Sequence, residues 1–415
     1  MAHYSFILVC YNNWDDLTKQ ALESLLESFD SEYRDRGIEL IIVNNGSKDK
    51  TLEELQNFKT NYKGNVEIVV VNIEENMGYI IGLNAGLSKA NGQIVTVLNN
   101  DLIFPNGWFR GIAEALDRDS SLGVAVPYLS YACGIQHAGV KLDSMQEIQD
   151  FSDKFTTEHQ GSILYTNRAI SACLTMKRET LNRIGGYDFW FGLGHYDDDD
   201  WCLRAIVSGY KIGVIGDSFV YHLGTVTFSQ NPESVSASLM SNSKKFMKKW
   251  SLKGPGCEEG LYPDRDKAVE STAYDSKKHY LPIKYEDYVW VNQIEDIKRE
   301  TGKSLLVADW TNFRSEWEKK LEIFLVNHQN SELYLWIPQQ YFDEKEVMDK
   351  VSKVIKRFKN NNELIDSTLK IKYDNINPDE LILLIKLFDN VLIVENDYVN
   401  KYIVSLAKQI NIPTL

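Results

Sequence analysis

The sequence predicts an α/β protein of two modules, each a parallel sheet flanked by helices, and three observations carry that prediction. Short apolar runs alternate with amphipathic stretches over the first 100 residues; the same alternation starts afresh near residue 303; residues 255–300 between them are polar and aromatic without a clear period. At 415 residues the chain is also too long for one ordinary core and points to about two or three domains. Its 43% hydrophobic and 12% aromatic content can fill those cores, which excludes wholesale disorder.

Along the chain, the first run, YSFILVCY, is a strand. It has no basic leader or small-residue cleavage site, and no apolar stretch reaches the roughly 18 residues that cross a bilayer, so any membrane contact is peripheral. Leu17, Ala21, Leu22, Leu25, Leu26 and Phe29 then recur at helical spacing and give one apolar stripe. IELIIVNN, VEIVVVN and GQIVTVLNND follow as strands. After residue 222 the pattern changes: SNSKKFMKKWSLKGPGCEEGLYPD reads as a basic helix ending in a Gly/Pro turn. The second module runs KSLLVADW, a helix over 313–327, ELYLWIP, a helix over 343–358, TLKIKYD, NVLIVEN and a last helix near 398–409. The expected boundaries are 1–252, a connecting region 253–302, and 303–415, with no internal repeat.

Charge and motifs narrow the function. A formal net charge of -14 disfavours a nucleic-acid backbone binder, which needs a basic face. Cys10, Cys133, Cys173, Cys202 and Cys257 are odd in number, scattered and never in a CxxC pair, so they read as reduced thiols of a cytosolic protein. No Gly-x-Gly-x-x-Gly opens the first helix and no Walker A segment occurs, which disfavours a dinucleotide enzyme or a P-loop NTPase. Phosphate charge would then need another device, and a metal held by carboxylate and imidazole is the candidate.

The strongest runs end in polar residues: CYNN at 10–13, NNGSKD at 44–49 and NND at 99–101. Ligands of open α/β sheets bind outside the carboxyl ends of the strands, so these tips converge on one cleft. Further on, GHYDDDDWCLRA sets four carboxylates in a row at a helix start. Adjacent like charges raise some pKa values, so the run is either solvated or held near a cation or a substrate proton.

Eight pieces in order resemble the family 2 glycosyltransferases, inverting enzymes of the GT-A fold: CYNNWDDLTKQALESLL, VNNGSKDKT, NMGYIIGLNAGL, ANGQIVTVLNND, SACLTMKRETLNRIGGYD, YDDDDWCLRAIVSGYKI, YHLGT and NSKKFMKKW. The resemblance covers about three fifths of the chain and implies a GT-A nucleotide-diphospho-sugar transferase fold followed by a smaller Rossmann-like α/β module. It implies a divalent metal, Mn2+ or Mg2+, at Asp101, with Asn99 at the first position of the family's Asp-x-Asp motif and His222 of YHLGT closing the site. By the same resemblance Asp198 is the general base with Asp197 as its pair, while Asp197 and Asp200 hold the loop and helix start and Asp199 is solvated. Gly186, Trp190 and Asp200 fall on the acceptor side; Trp190 either stacks on an acceptor sugar or packs in the core, and Trp201 packs in the core. The nucleotide-sugar side takes Tyr11, Asn12, Asn44, Asn45, Asp49, Gly78, Asn84, Asn99 and Asn100. Asn44 and Asn45 stand where the family usually has an Asp, and an amide can accept from a pyrimidine N3–H and donate to its O4. Gly78 and Asn84 line up with the segment near the donor diphosphate, though Gly78 is equally a turn.

The activity so implied is inverting transfer of a sugar from a UDP- or dTDP-sugar to a hydroxyl of a saccharide, glycoprotein or lipid-linked glycan, in the cytoplasm or at the inner face of its membrane. The rival is a catalytically inactive GT-A scaffold, motivated by the single Asp of NND and opposed by the intact acid pair with His222. A sugar nucleotidyltransferase would want an early Gly-rich basic loop, which CYNNWDD is not. The last 110 residues, outside the resemblance, look faintly like one half of a GT-B glycosyltransferase. They are assigned to acceptor handling, partner binding or self-association.

Overall fold

A computed structural model of the chain describes residues 2–224, 232–252, 269–288, 300–312, 314–328, 331–360 and 368–415. Most of the expected connecting region, including the Gly/Pro turn and Cys257, lies outside the described residues, as does position 313 of the expected helix 313–327. The chain forms two compact units. The first comprises Met1–Tyr187, Asp197–Pro232 and Cys257–His279, and the second Asp188–Tyr196, Glu233–Gly256 and Tyr280–Leu415. Asp188–Tyr196 and the helix after residue 232 thus fall with the C-terminal module. Among the described residues no helix is long and apolar enough to cross a membrane.

In the first unit, β1 (Tyr4–Cys10), α1 (Lys19–Ser28), α2 (Ser31–Asp35), β2 (Ile38–Asn45), α3 (Thr51–Asn61), β3 (Val66–Ile73), α4 (Tyr79–Leu87) and β4 (Ile94–Asn99) form the expected parallel layer, ordered β3-β2-β1-β4. Every residue of β1 and β2 is buried, because helices cover both faces, and that is why these runs are almost continuously apolar. Beyond β4, past the first 100 residues for which a parallel sheet was expected, the sheet becomes mixed. The chain continues through β5 (Leu102–Ile103), α5 (Trp108–Arg118), β6 (Leu122–Leu129), α6 (Met145–Glu158), β7 (Ile163–Thr166), β8 (Cys173–Lys177), α7 (Arg178–Ile184), α8 (Asp197–Val207) and β9 (Lys211–His222). β8 inserts antiparallel between β4 and β6, and the order continues to β9 and β5. Phe6, Leu8, Leu25, Leu40, Trp108 and Phe109 belong to the core on the α1/α5 side.

The second unit holds α9 (Pro232–Lys249), β10 (Glu300–Leu306), α10 (Trp317–Asn327), β11 (Glu332–Pro338), α11 (Glu344–Asn360), β12 (Thr368–Asp374), α12 (Leu381–Lys386), β13 (Phe388–Val391) and α13 (Tyr398–Gln409). Its four strands are parallel in the order β12-β11-β10-β13. The chain therefore steps from β10 outward to β12 and then reverses to place β13 on the other side of β10. Leu305, Leu306, Leu333, Leu335, Val391 and Ile403 are buried around this sheet.

Candidate active site

The tips of β1 and β2 are stitched to each other. Asn12 and Asn13 take left-handed conformations, φ 55° and 59°. The Asn12 backbone N–H donates to Ser47 Oγ at 2.8 Å, Asn12 Oδ1 accepts from the Lys48 N–H at 2.7 Å, and the Asn13 N–H donates to Asp49 Oδ2 at 2.9 Å. Burial is the largest single influence on the Asp49 carboxyl and raises it, but the hydrogen bonds from Thr51 and Asn13 together outweigh it and hold the carboxyl below the usual range. Gly46, at φ 75°, lies against the next loop so closely that a Cβ would stand 2.2 Å from the Glu75 carbonyl carbon. Only glycine fits there. Tyr11 is exposed at the rim.

Asn44 and Asn45 do not present their amides to a ligand, contrary to the base-reading expectation. Both are buried. Asn44 Nδ2 donates to Asn72 Oδ1 at 2.7 Å; Asn45 Nδ2 donates to the Gly78 carbonyl at 3.0 Å, and its Oδ1 accepts from the Met77 N–H at 3.1 Å. A buried amide has to be satisfied, and these are satisfied by the neighbouring loop. Asn84 is corrected on the same ground: its amide exchanges two 2.8 Å hydrogen bonds with the backbone of Tyr187 and ties α4 to that loop. Gly78 caps α4 at φ 88°, a turn role.

Tyr79, the first residue of α4, was not singled out from the sequence. Its hydroxyl donates to Asn99 Oδ1 at 2.9 Å. Burial, and then the carboxylates of Asp197, Asp198 and Asp101, push that hydroxyl well above its ordinary range. One phenol therefore feels both the expected metal ligand and the expected base. An aromatic hydroxyl directly after a glycine cap at a strand-tip cleft was the available signal. Asn100 Nδ2 donates to Thr18 Oγ1 at 3.0 Å and fixes the turn that presents Asp101.

The antiparallel pairing of β5 with β9 sets Leu102 opposite His222, so the register itself brings His222 beside Asp101. Nε2 of His222 lies 3.3 Å from Asp101 Oδ2. Nδ1 of His222 lies 2.8 Å from the Tyr131 carbonyl, which takes the Nδ1–H and turns Nε2 toward Asp101: protonated, Nε2 donates to the carboxylate, and deprotonated, its lone pair is open to a cation there. Burial lowers the His222 pKa, but the bond and charge of Asp101, with the Tyr131 carbonyl, outweigh it and the net shift is upward. Asp101 Oδ1 is buried with no hydrogen-bond partner among the described residues. An orphaned carboxylate oxygen beside an oriented imidazole is a donor set that suits a divalent cation. No group of three or more His, Cys, Asp or Glu suited to a metal occurs among the described residues.

The four-aspartate run opens α8, and the two residues before it, His195 and Tyr196, both have positive φ, 71° and 68°. Non-glycine residues in that region mark a strained entry to the helix. Asp198 is half-buried, and its Oδ1 accepts from the Asp199 N–H at 2.8 Å. Burial and the Asp199 charge push its carboxyl up to about 6, against the pull of Arg168. Burial and Asp198 push Asp197 well above the usual carboxylate range. Asp199 is not solvated as expected: it is buried and pairs with Arg168 Nε at 3.0 Å. Asp200 is not on an acceptor face either. It is fully buried in a 2.9 Å pair with Arg204, whose other nitrogens donate to the carbonyls of Ile184 and Gly186 at 2.7 Å. Gly186 is thereby a buried structural residue. Trp201 is fully buried, as expected.

Trp190 is corrected to the core reading. It is buried within the second unit, its ring stacked on Tyr341 at 5.1 Å and edge-on to Trp336 and Phe342 at 5.8 and 5.6 Å. A ring enclosed on these sides has no face left for a sugar.

Residues 5–184 match the family model described as glycosyl transferase family 2. A poly-β-1,6-N-acetyl-D-glucosamine synthase of Staphylococcus epidermidis is 27% identical over 232 residues, 56% of this chain and 50% of that protein. An uncharacterized glycosyltransferase of Synechocystis is 43% identical over 67 residues, 16% of this chain and 20% of that one. The chain spans about half the length, or less, of these curated relatives. Among solved structures, Staphylococcus aureus TarS 1–349 in complex with UDP-GlcNAc has a TM-score of 0.45 at 14% identity, over 64% of this chain and 70% of that one. The mannosyltransferase PcManGT of Pyrobaculum calidifontis, in complex with GDP-Man and Mn2+, has a TM-score of 0.42 at 17% identity, over 65% and 69%.

Proposed function

We propose that the N-terminal region, a family 2 glycosyltransferase domain with an α/β fold of the GT-A class, performs inverting transfer of a sugar from a UDP- or dTDP-sugar to a hydroxyl of a saccharide-bearing acceptor. The observation that carries this reading is Tyr79: bonded to Asn99 at the β4 tip, it stands in the field of Asp101 and of Asp197 and Asp198 at once. That one hydroxyl lies in the field of both the ligand pair and the acid pair supports reading the two pairs as one site, which is what a single displacement requires.

Asp101 and His222 would hold the divalent cation, Mn2+ or Mg2+. When bound, it offsets the negative charge that grows on the departing diphosphate. The braced loops of Asn12 and Asp49 border the nucleotide side, and Tyr131 keeps His222 in the tautomer whose Nε2 faces the site. Asp198 is the base. As the acceptor oxygen bonds to the anomeric carbon and the glycosidic bond to the diphosphate breaks, the hydroxyl proton passes to the Asp198 carboxylate. A carboxyl titrating at about 6 is ionised at neutral pH yet more basic than an ordinary aspartate, which suits it to the role. Asp197, which burial and the Asp198 charge also push well above the usual carboxylate range, is the second member of the acid pair.

The test is a panel of nucleotide-sugars with Mn2+, scored for slow hydrolysis without acceptor and by NMR for the anomer first released. Hydrolysis of a UDP- or dTDP-sugar with inversion is expected. Hydrolysis of none, or release with retention, refutes the reading.

A further inference from the structure

The C-terminal module carries a second pocket that the chemistry above does not use. A cavity of about 340 Å³ opens at the C-terminal ends of β10 and β13, walled by the loops after these strands, by α9 and by the segment around Phe191. Every residue lining it belongs to the second unit. β10 and β13 are the strands between which the chain reverses direction across the sheet. That reversal splays the two loops apart and makes a crevice, the usual ligand position in an open α/β sheet. The volume lies at the lower end of the range for small-molecule sites.

The walls are held by a buried polar network. Lys245 Nζ, fully buried, contacts Asp309 Oδ2 at 2.5 Å and donates to the Trp190 carbonyl at 2.7 Å. The Asp309 N–H donates to Asp397 Oδ2 at 2.7 Å, and Asp397 caps α13 by accepting from the Asn400 N–H at 2.8 Å. Asn242 donates to the carbonyls of Phe191 and Gly194, both at 2.7 Å. Such a network fixes the wall before any ligand arrives.

The network also selects the ligand class. In a nucleotide-binding crevice of this kind, phosphate sits on free N–H groups at a helix N-terminus. Here the start of α13 is capped by a buried carboxylate and faces a second, Asp309, so a phosphate would meet negative charge where it needs positive. Burial and Asp309 push Asp397 up to about 6, which reports the same crowding of acidic groups. The polar groups that line the cavity are mixed and partly engaged: Asn312 accepts from the Arg314 N–H through Oδ1, Asn396 donates to Glu316, Ser238 donates to the Gly194 carbonyl, and the Asp309 oxygens take Lys245 and Thr311. What each still offers a ligand is its second position, such as the Asn312 amide N–H groups and the Ser238 oxygen. The half-buried ring of Tyr398, with Lys401 Nζ 5.4 Å from its centroid, adds aromatic surface. Amides and a carboxylate that bind hydroxyls, beside an aromatic ring that covers C–H groups, suit a neutral polyhydroxylated molecule.

We propose that this cavity binds a neutral saccharide. None of the residues that line it takes part in the transfer reading, and the proposal is independent of that reading, although a glycan acceptor would be one natural source of such a sugar. The test is saturation-transfer NMR on the full chain with glucose, galactose, mannose, N-acetylglucosamine and N-acetylgalactosamine, and with inorganic phosphate and UMP as the anionic arm. At least one neutral sugar should bind to the wild type and to Asp198→Asn alike, and bind at least tenfold more weakly to Asn312→Ala and to Ser238→Trp, which fills the cavity. Should Ser238→Trp fail to fold, Asn312→Ala alone decides. No binding by any sugar of the panel, binding indifferent to the cavity variants, or displacement of the sugar by phosphate overturns the proposal. A failed transfer reading shows instead in the donor-hydrolysis panel, which this measurement does not touch.

Discussion

Replacing Asp198 with Asn should make the protein more stable and nearly inactive, and the two effects have one cause. In the fold the Asp198 carboxyl titrates at about 6, against 3.8 for an unperturbed aspartate. A folded pKa above the unfolded one means that the fold favours the proton. The stabilising contribution is therefore complete below about pH 4 and is lost as pH rises through about 6. At pH 8 the wild type carries the whole penalty: about 2 pKa units at 1.36 kcal/mol each, or about 3 kcal/mol as an upper value, and about 1–3 kcal/mol for a half-buried group. Asn never ionises, so the variant escapes this cost, and its side-chain oxygen can still accept the Asp199 N–H. It cannot take a proton, however, and transfer should fall by about 10²–10⁴. Thermal melts from pH 4 to pH 8 should show a gain for Asp198→Asn at pH 8 that vanishes toward pH 4. Wild-type transfer should in turn decline as pH drops through about 6. A variant that transfers at the wild-type rate, or that is destabilised at pH 8, would refute the assignment of the base.

The other expectations are narrower. Asp101→Ala and His222→Ala should weaken Mn2+-dependent binding of UDP in calorimetry and leave binding of uridine unchanged, because a cation there meets the diphosphate and not the base; equal losses would make the pair purely structural. Arg204→Met strands the fully buried carboxylate of Asp200 and should cost about 3–5 kcal/mol in denaturant unfolding, whatever the pH between 6 and 8. Trp190→Ala should cost about 3–5 kcal/mol of the second unit's stability, since it opens a cavity among Trp336, Tyr341 and Phe342. A chain ending at Trp250 keeps Trp190 and Lys245 but loses the residues that cover and neutralise them, so it should aggregate on expression, and a well-behaved fragment would sink that account.

The first four strands were legible because burial on both faces leaves no room for polar residues, and a run such as Ile38–Val43 can be little else. Strands β6–β9 were not, and the reason is geometric. β6 and β9 pair with register shifts near Pro127 and between Ile215 and Phe219, so neither keeps a simple period, and β8 is five residues long. The reach of Asp188–Tyr196 into the C-terminal unit was equally hidden. An aromatic-rich loop says that something covers it, and nothing local to the loop says that the cover comes from residues 336–342.

At the site, residue type announced that polar groups needed partners and left open which partners they had. Asn44, Asn45 and Asn84 sit at strand tips or on the helix above them, as a ligand-binding reading would want, yet each amide is spent on a neighbouring loop because the loops must be held before they can hold anything else. The aspartate run follows the same logic with charge. Asp199 and Asp200 could enter the interior only with a cation each, and Arg168 and Arg204 supply them; the second of these was readable as an i,i+4 pair on α8. Among the described residues no cation is in ion-pair contact with Asp198 or Asp197, although the Arg168 charge pulls on Asp198. The pair without a direct ion-pair partner is the pair whose pKa values are raised, so neutralising two of the four aspartates is what leaves the other two as the candidates for proton handling that the proposed function uses.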